Sequence, residues 1–263
     1  MDLGLTGRRA LVAAASRGLG KGCAMSLAAE GAAVAICSRD GDALQAARDE
    51  IAASTGATVA AIRADVSRED DARRFVREGI ETLGGCEILV ANAGGPPTGR
   101  FDELDDDDVR SALDLNFFST LRMARDALPA MREAGFGRII VILSIAAKQP
   151  ISNLILSNTI RAGLAGWART LADEVGPDGI TVNGILPDGV LTDRVRSLHE
   201  DRARREGRST DEVIAEVEAE VPVRRLGDPK EVGDLVAFLA SERAGYITGT
   251  FMQVDGGGYR GLF

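Results

Sequence analysis

Ala13-Ala14-Ala15-Ser16-Arg17-Gly18-Leu19-Gly20 decides how this chain is read. An apolar run at 9–14 leads into it and a helical pattern at 19–30 leads out, so the stretch is a tight strand-to-helix turn made of small residues. Gly18 and Gly20 let the backbone come close to a ligand. The helix that opens there offers unpaired N–H groups and the positive end of its dipole, a seat for a pyrophosphate. Alone, the turn is a weak motif, and its neighbours carry the argument further.

Outward from it, the same alternation recurs. Short apolar runs stand at 33–38, 58–64, 88–91, 138–143, 181–186 and 250–254, with helical patterns such as 42–53 between them. Seven candidate strands alternating with helices predict an α/β fold: one doubly wound parallel sheet with helices on both faces. No linker divides the chain, so 1–263 reads as a single domain. The acid run Asp105 to Asp108 precedes a helical pattern, where negative charge at a first turn suits the helix dipole. Only residues 191–221 break the pattern, with 31 residues, 15 charges and no strand. They follow the sixth strand, and the ligand crevice of an open parallel sheet lies beyond the strands' carboxyl ends. The segment is therefore placed to act as a helical lid. Its Arg202, Arg204, Arg205 and Arg208 offer charge to an anionic substrate, but nine acids accompany the lid's six arginines.

Composition sets the outer limits. The 263 residues are 45% hydrophobic and 27% charged, which is globular rather than disordered or fibrous. Forty acids against 31 basic residues and 4% aromatics exclude a nucleic-acid partner. No apolar run approaches the roughly 18 residues of a membrane span. Cys23, Cys37 and Cys86 are unpatterned and the chain has one histidine, so no zinc site is expected and a reducing cytosol is the expected setting.

Several residues join the glycine turn at the cleft edge. After the second strand stand Ser38 and Arg39, where an acid would otherwise hydrogen-bond a ribose 2′-hydroxyl, and Arg17 lies inside the turn. Two guanidiniums near the adenosine ribose favour a 2′-phosphate, hence NADP(H) over NAD(H). Asp65-Val66 ends the third strand and Asn92-Ala93-Gly94 the fourth.

On these motifs the chain resembles the short-chain dehydrogenase/reductase family, in particular its bacterial 3-oxoacyl-carrier-protein-reductase-like branch. The resemblance spans nearly the whole sequence. It takes in Ala14, Ser16 and Leu19 of the glycine turn, Asp65-Val66, which in such proteins contacts adenine, Asn92 and Gly94, and Asn116. It continues through Ser144 after the fifth strand, Pro187, Val190 and Thr192 after the sixth, and Val254-Asp255-Gly256-Gly257 near the end. The resemblance implies a Rossmann-type fold, a small-molecule substrate and a homodimer or homotetramer.

Two departures stand out. The family's turn usually begins Thr-Gly, and Ala13-Ala14 occupy those places; a methyl at Ala14 is tolerable if the backbone there avoids positive φ. The family's catalytic tyrosine and the lysine four residues later correspond, in register from Ser144 to Ala162-Gly163, to Ser157 and Arg161. The helical spacing survives while the acid chemistry changes, because serine is a far weaker acid than a phenol and arginine stays charged.

Three outcomes remain open. The protein can still reduce a carbonyl, with Asn116, Ser144, Ser157 and Arg161 as the catalytic set and water or another group delivering the proton. Lys148, Asp188 and His199 are the substitute candidates. Alternatively, it can reduce an iminium carbon, which leaves no oxyanion to protonate. Finally, it can bind NADP(H) and a ligand without redox turnover, as a sensor or a non-redox catalyst.

Overall fold

The computed structural model describes residues 2–262. Its strands are β1 (Arg9–Val12), β2 (Ala33–Ser38), β3 (Val59–Arg63), β4 (Ile88–Ala91), β5 (Gly137–Ile142), β6 (Ile180–Pro187) and β7 (Phe251–Val254). They form one seven-stranded sheet in the order β3-β2-β1-β4-β5-β6-β7, and every pairing is parallel. All residues of β4, β5 and β6 are buried, which explains their mostly apolar sequences, interrupted by the buried polar Arg138, Thr181 and Asn183.

Helices α1 (Gly18–Ala29), α2 (Gly41–Thr55) and α9 (Pro229–Ala240) cover one face. The other is covered by α3 (Glu69–Leu83), α5 (Ser119–Ala134) and α6 (Ile155–Val175), with the short α4 (Asp106–Ala112) beside them. Asp105 caps α4 by accepting from the Asp107 and Asp108 N–H groups at 2.9 and 3.0 Å, so the acid run is a helix start as its charge implies. The stretch 191–221 folds as two helices, α7 (Asp193–Glu206) and α8 (Thr210–Glu220). They bury only Ala203 and Val213. What joins them is a charge network in which Arg202 and Arg208 both pair with Glu206 and Glu216.

No helix among the described residues is long and apolar enough to cross a membrane. Cys23, Cys37 and Cys86 are buried free thiols, each pushed up to about 12 by burial, so none is a reactive thiolate near neutrality.

Arg9, the first residue of β1, is locked by charge to Glu87, the residue just before β4. The Arg9 backbone N–H donates to Glu87 Oε2 at 2.9 Å, its guanidinium grips both carboxylate oxygens, and the Glu87 N–H returns a bond to the Arg9 carbonyl at 3.0 Å. Burial raises the Glu87 pKa, but the bonds from Arg9 outweigh it and the net direction is down. The folded-state value lies below the unfolded one, so this stabilisation is present above the ordinary carboxylate range and is lost as pH falls through the folded value. Glu87→Gln is expected to cost about 2 kcal/mol near pH 7, with the difference from the unsubstituted protein vanishing toward about pH 3. Urea denaturation at the two pH values checks it.

Candidate active site

The sequence places β1 at 9–14, yet the strand ends at Val12 because the chain turns sharply at Ala14, which sits at φ +50°. The condition that made alanine acceptable there is not met: the methyl occupies a left-handed conformation, and Gly18 follows at φ +57°. The reason is packing. A Cβ built on Gly20 would lie 2.3 Å from the Ala14 carbonyl oxygen and 2.8 Å from Asn92 Nδ2, so α1 starts directly against the turn. Asn92 holds it there, its amide donating to the Ala13 and Ala14 carbonyls at 3.2 and 3.3 Å. Ser16 and Ser38 hydroxyls meet at 3.0 Å across the next step. Thr192, which caps α7 through the Val195 N–H, comes within 3.4 Å of where a Gly18 side chain would begin.

Arg17 forms the N-terminal boundary of α1 without any side-chain cap bond. The same holds for α3, α5 and α6, whereas α2, α4, α7, α8 and α9 are capped by Asp40, Asp105, Thr192, Ser209 and Asp228. The first N–H groups of α1 are therefore free to meet an anion. Arg17 and Arg39 are exposed, and neither has an ion-pair partner among the described residues. Asp65 uses its carboxylate in a local turn, accepting from the Ser67 N–H and hydroxyl at 3.1 and 2.7 Å, while Val66 beside it is buried.

Nearer the middle of the sheet, Asn116 lies in a single π-helical turn, Leu113–Phe118, between α4 and α5. Its amide donates to the Gly94 carbonyl at 2.7 Å, and its Oδ1 is buried without a partner. Ser144, just beyond β5, accepts from the Ala146 N–H at 3.1 Å. Ser157 and Arg161 fall on one face of α6 near its start, and Asn158 beside them pins the preceding loop by two bonds to Ile151. The Arg161 guanidinium is buried and donates to the Ile142 carbonyl at 2.7 Å, leaving Nε without an acceptor. Burial, then the charge of Arg194, push its pKa down to about 10, so it remains a cation near neutrality.

Lys148 stands 5.6 Å from the centre of the Tyr259 ring. Asp188 lines a cavity of about 180 Å³ with Val221, Val254 and Asp255. Its side chain keeps access to solvent, yet crowding by the cavity walls raises its pKa, with Asp255 adding to the effect and the Gly189 N–H at 3.0 Å opposing it. His199 rides on α7 with Nε2 buried and unpartnered, and burial followed by Arg202 lowers its pKa, so it is neutral near pH 7. Pro187 ends β6 and Val190 bridges to Gly227, tethering the start of the 191–221 stretch. Of the four lid arginines singled out in the sequence, Arg202, Arg204 and Arg208 are consumed by Asp201, Glu206 and Glu216, and Arg205 by the Asp201 carbonyl. The residue the sequence reading missed is Arg194, whose guanidinium reaches the Pro96 carbonyl at 3.0 Å. Its place in the first turn of α7, two residues after the Thr192 cap, is the signal that would have found it.

A family model described as Enoyl-(Acyl carrier protein) reductase matches residues 13–259. The chain belongs to the short-chain dehydrogenase/reductase family. Among its relatives is 7alpha-hydroxysteroid dehydrogenase of Escherichia coli (strain K12), 32% identical over 261 residues, or 99% of this chain and 98% of the relative. L-sorbose reductase of Gluconobacter frateurii, solved with NADPH and L-sorbose, superposes with a TM-score of 0.95 at 32% identity and full coverage of both chains. A short chain oxidoreductase of Pseudomonas aeruginosa PAO1, bound to NADPH and containing an atypical catalytic center, gives 0.87 at 33% identity over 97% of this chain and 98% of that one.

Within this short-chain dehydrogenase/reductase, the left-handed alanine carries a cost that glycine would not. An L-residue in that region costs about 1–2 kcal/mol, against roughly 0.5–1 kcal/mol of extra unfolded-state entropy for glycine. Ala14→Gly is expected to gain about 0.5 kcal/mol, a rise in Tm of about 1–2 °C by thermal denaturation.

Proposed function

We propose that this chain is an NADP(H)-dependent oxidoreductase that moves hydride to or from a carbonyl or imine carbon, in a site where Ser157 and Arg161 replace the usual tyrosine and lysine. The observation that carries the cofactor assignment is the uncapped start of α1 flanked by the unpaired Arg17 and Arg39. It suits a pyrophosphate at the helix and a 2′-phosphate on the arginines, with Asp65-Val66 bordering the adenine, and the NADPH-bound relatives support it. The partnerless Asn116 Oδ1 and Arg161 Nε are polar groups that a ribose and nicotinamide would satisfy. The family resemblance is the support for a homodimer or homotetramer, and the three buried thiols suit a reducing cytosol.

A bound dihydronicotinamide supplies the hydride. Ser144 and Ser157 would donate hydrogen bonds to the acceptor oxygen, and the Arg161 cation would stabilise the charge that develops on it. Arg161 keeps its proton at neutral pH, so the alkoxide proton would come from water. An imine carbon would need no such proton, and the altered pair would then cost nothing.

The alternative is binding without turnover. It is favoured by the same fact, that neither serine nor the buried arginine is a proton donor near neutrality. Titration of NADPH by fluorescence, followed by its consumption across ketones, diketones and cyclic imines, separates the two. Saturable binding with consumption is expected; binding without consumption of any substrate supports the alternative, and no binding refutes both.

Arg39→Asp is expected to weaken NADPH by at least about tenfold, or 1.4 kcal/mol, with NADH changed less than about twofold. Calorimetry with each cofactor measures this, and an equal loss for both would remove the 2′-phosphate contact. Ser157→Ala is expected to lower kcat about 10- to 100-fold, leaving NADPH affinity unchanged in the same titration.

A further inference from the structure

Only Arg138 and Arg161 among the described arginines are buried, and they are treated differently by the fold. Arg138 is surrounded by acceptors: the carbonyls of Ser241, Gly137 and Gly179, and the face of the Phe136 ring at 3.9 Å. Arg161 has the Ile142 carbonyl alone, with Nε unpartnered. A buried cation so poorly satisfied is costly unless something else completes its shell. The neighbouring cation is Arg194, which donates to the Pro96 carbonyl beyond β4 while Arg161 donates to the Ile142 carbonyl at the end of the adjacent β5, and whose charge adds to burial in lowering the Arg161 pKa. Arg194 lies on the bare face of Gly95, where a Cβ would be 2.7 Å from its Nε, and its one bond is to the Pro96 carbonyl. Neither guanidinium has a carboxylate partner among the described residues.

Position says which ligand this pair serves. Arg194 stands over the segment leaving β4, and Arg161 over the end of β5. The phosphate turn leaves β1, and Arg39 leaves β2, so a dinucleotide laid along the order β2-β1-β4-β5 has its phosphates behind the pair and its reactive end beside it. Neighbouring strands are about 4.8 Å apart, which puts the arginines roughly one to two strand widths past the pyrophosphate seat.

We propose that Arg161 and Arg194 form an anion-binding subsite that selects a substrate carrying a carboxylate close to its reacting carbon. A carboxylate between the two guanidiniums accepts from both and offsets the repulsion between them, beside a ribose that would take Arg161 Nε. Arg194 belongs to α7, whose hold on the core is mostly polar, so the same anion would draw the helix down over the cleft. The cofactor reading places the substrate beside the pair, but the subsite itself is testable without it.

The test is calorimetric titration of oxamate, malonate, succinate and benzoate, each beside its neutral amide, into the full-length protein with and without saturating NADPH. At least one carboxylate is expected to bind while its amide does not. Arg194→Gln should weaken it at least tenfold, with Arg196→Gln on the same helix as an unaffected control. Carboxylate binding without any NADPH binding would uphold the subsite and refute the cofactor reading. The subsite is overturned if no carboxylate binds, if acid and amide bind alike, or if Arg194→Gln leaves carboxylate binding intact. A tenfold loss of NADPH affinity in Arg194→Gln with carboxylate binding unchanged would assign the arginine to the cofactor pyrophosphate instead.

Discussion

Asn92 clamps two successive backbone carbonyls, those of Ala13 and Ala14, at the point where β1 gives way to α1. This contact brings the end of β4 to the end of β1 and presses Gly20 against the turn so closely that any side chain there would collide with backbone. The first turn of α1 is thereby aimed at the cleft with its N–H groups unspent. Thr192, the cap of α7, comes within 3.4 Å of where a Gly18 side chain would begin, over the same turn. The alanine at φ +50° shows that the turn's geometry is imposed by this packing and is kept even by a residue that disfavours it.

In the reaction proposed for it, the site is electrostatic more than acidic. Serine hydroxyls and a cation that keeps its proton can polarise an acceptor and stabilise charge, whereas a proton must come from elsewhere. Of the substitute candidates, Asp188 lines the cavity beside Val221 and Asp255, and His199 on α7 has a buried, partnerless Nε2.

Two kinds of cohesion divide the molecule. The sheet and its two layers of helices are held by apolar burial on both faces, which is strong and unforgiving of displacement. The α7–α8 pair is held by arginine–glutamate contacts at the surface and by very little buried side chain. Exposed ion pairs contribute little each, so these two helices are held less firmly than the layers on the sheet.

Taken by itself, the sequence determined the seven-stranded α/β sheet, since buried parallel strands and amphipathic helices write their periods directly into the chain; β2 and β4 were legible to the residue. It also determined the strand-to-helix turn after β1, the acid-capped α4 and the helical nature of 191–221, all local matters of propensity and charge. Tertiary structure alone decided the backbone of Ala14, because its φ answers to Gly20 and Asn92. It decided likewise that Arg194, 33 positions further along the chain, bonds the Pro96 carbonyl beyond β4 while Arg161 bonds the Ile142 carbonyl at the end of β5. Such pairings depend on how separate elements are packed over the strand ends, and no period or spacing in a single chain encodes them.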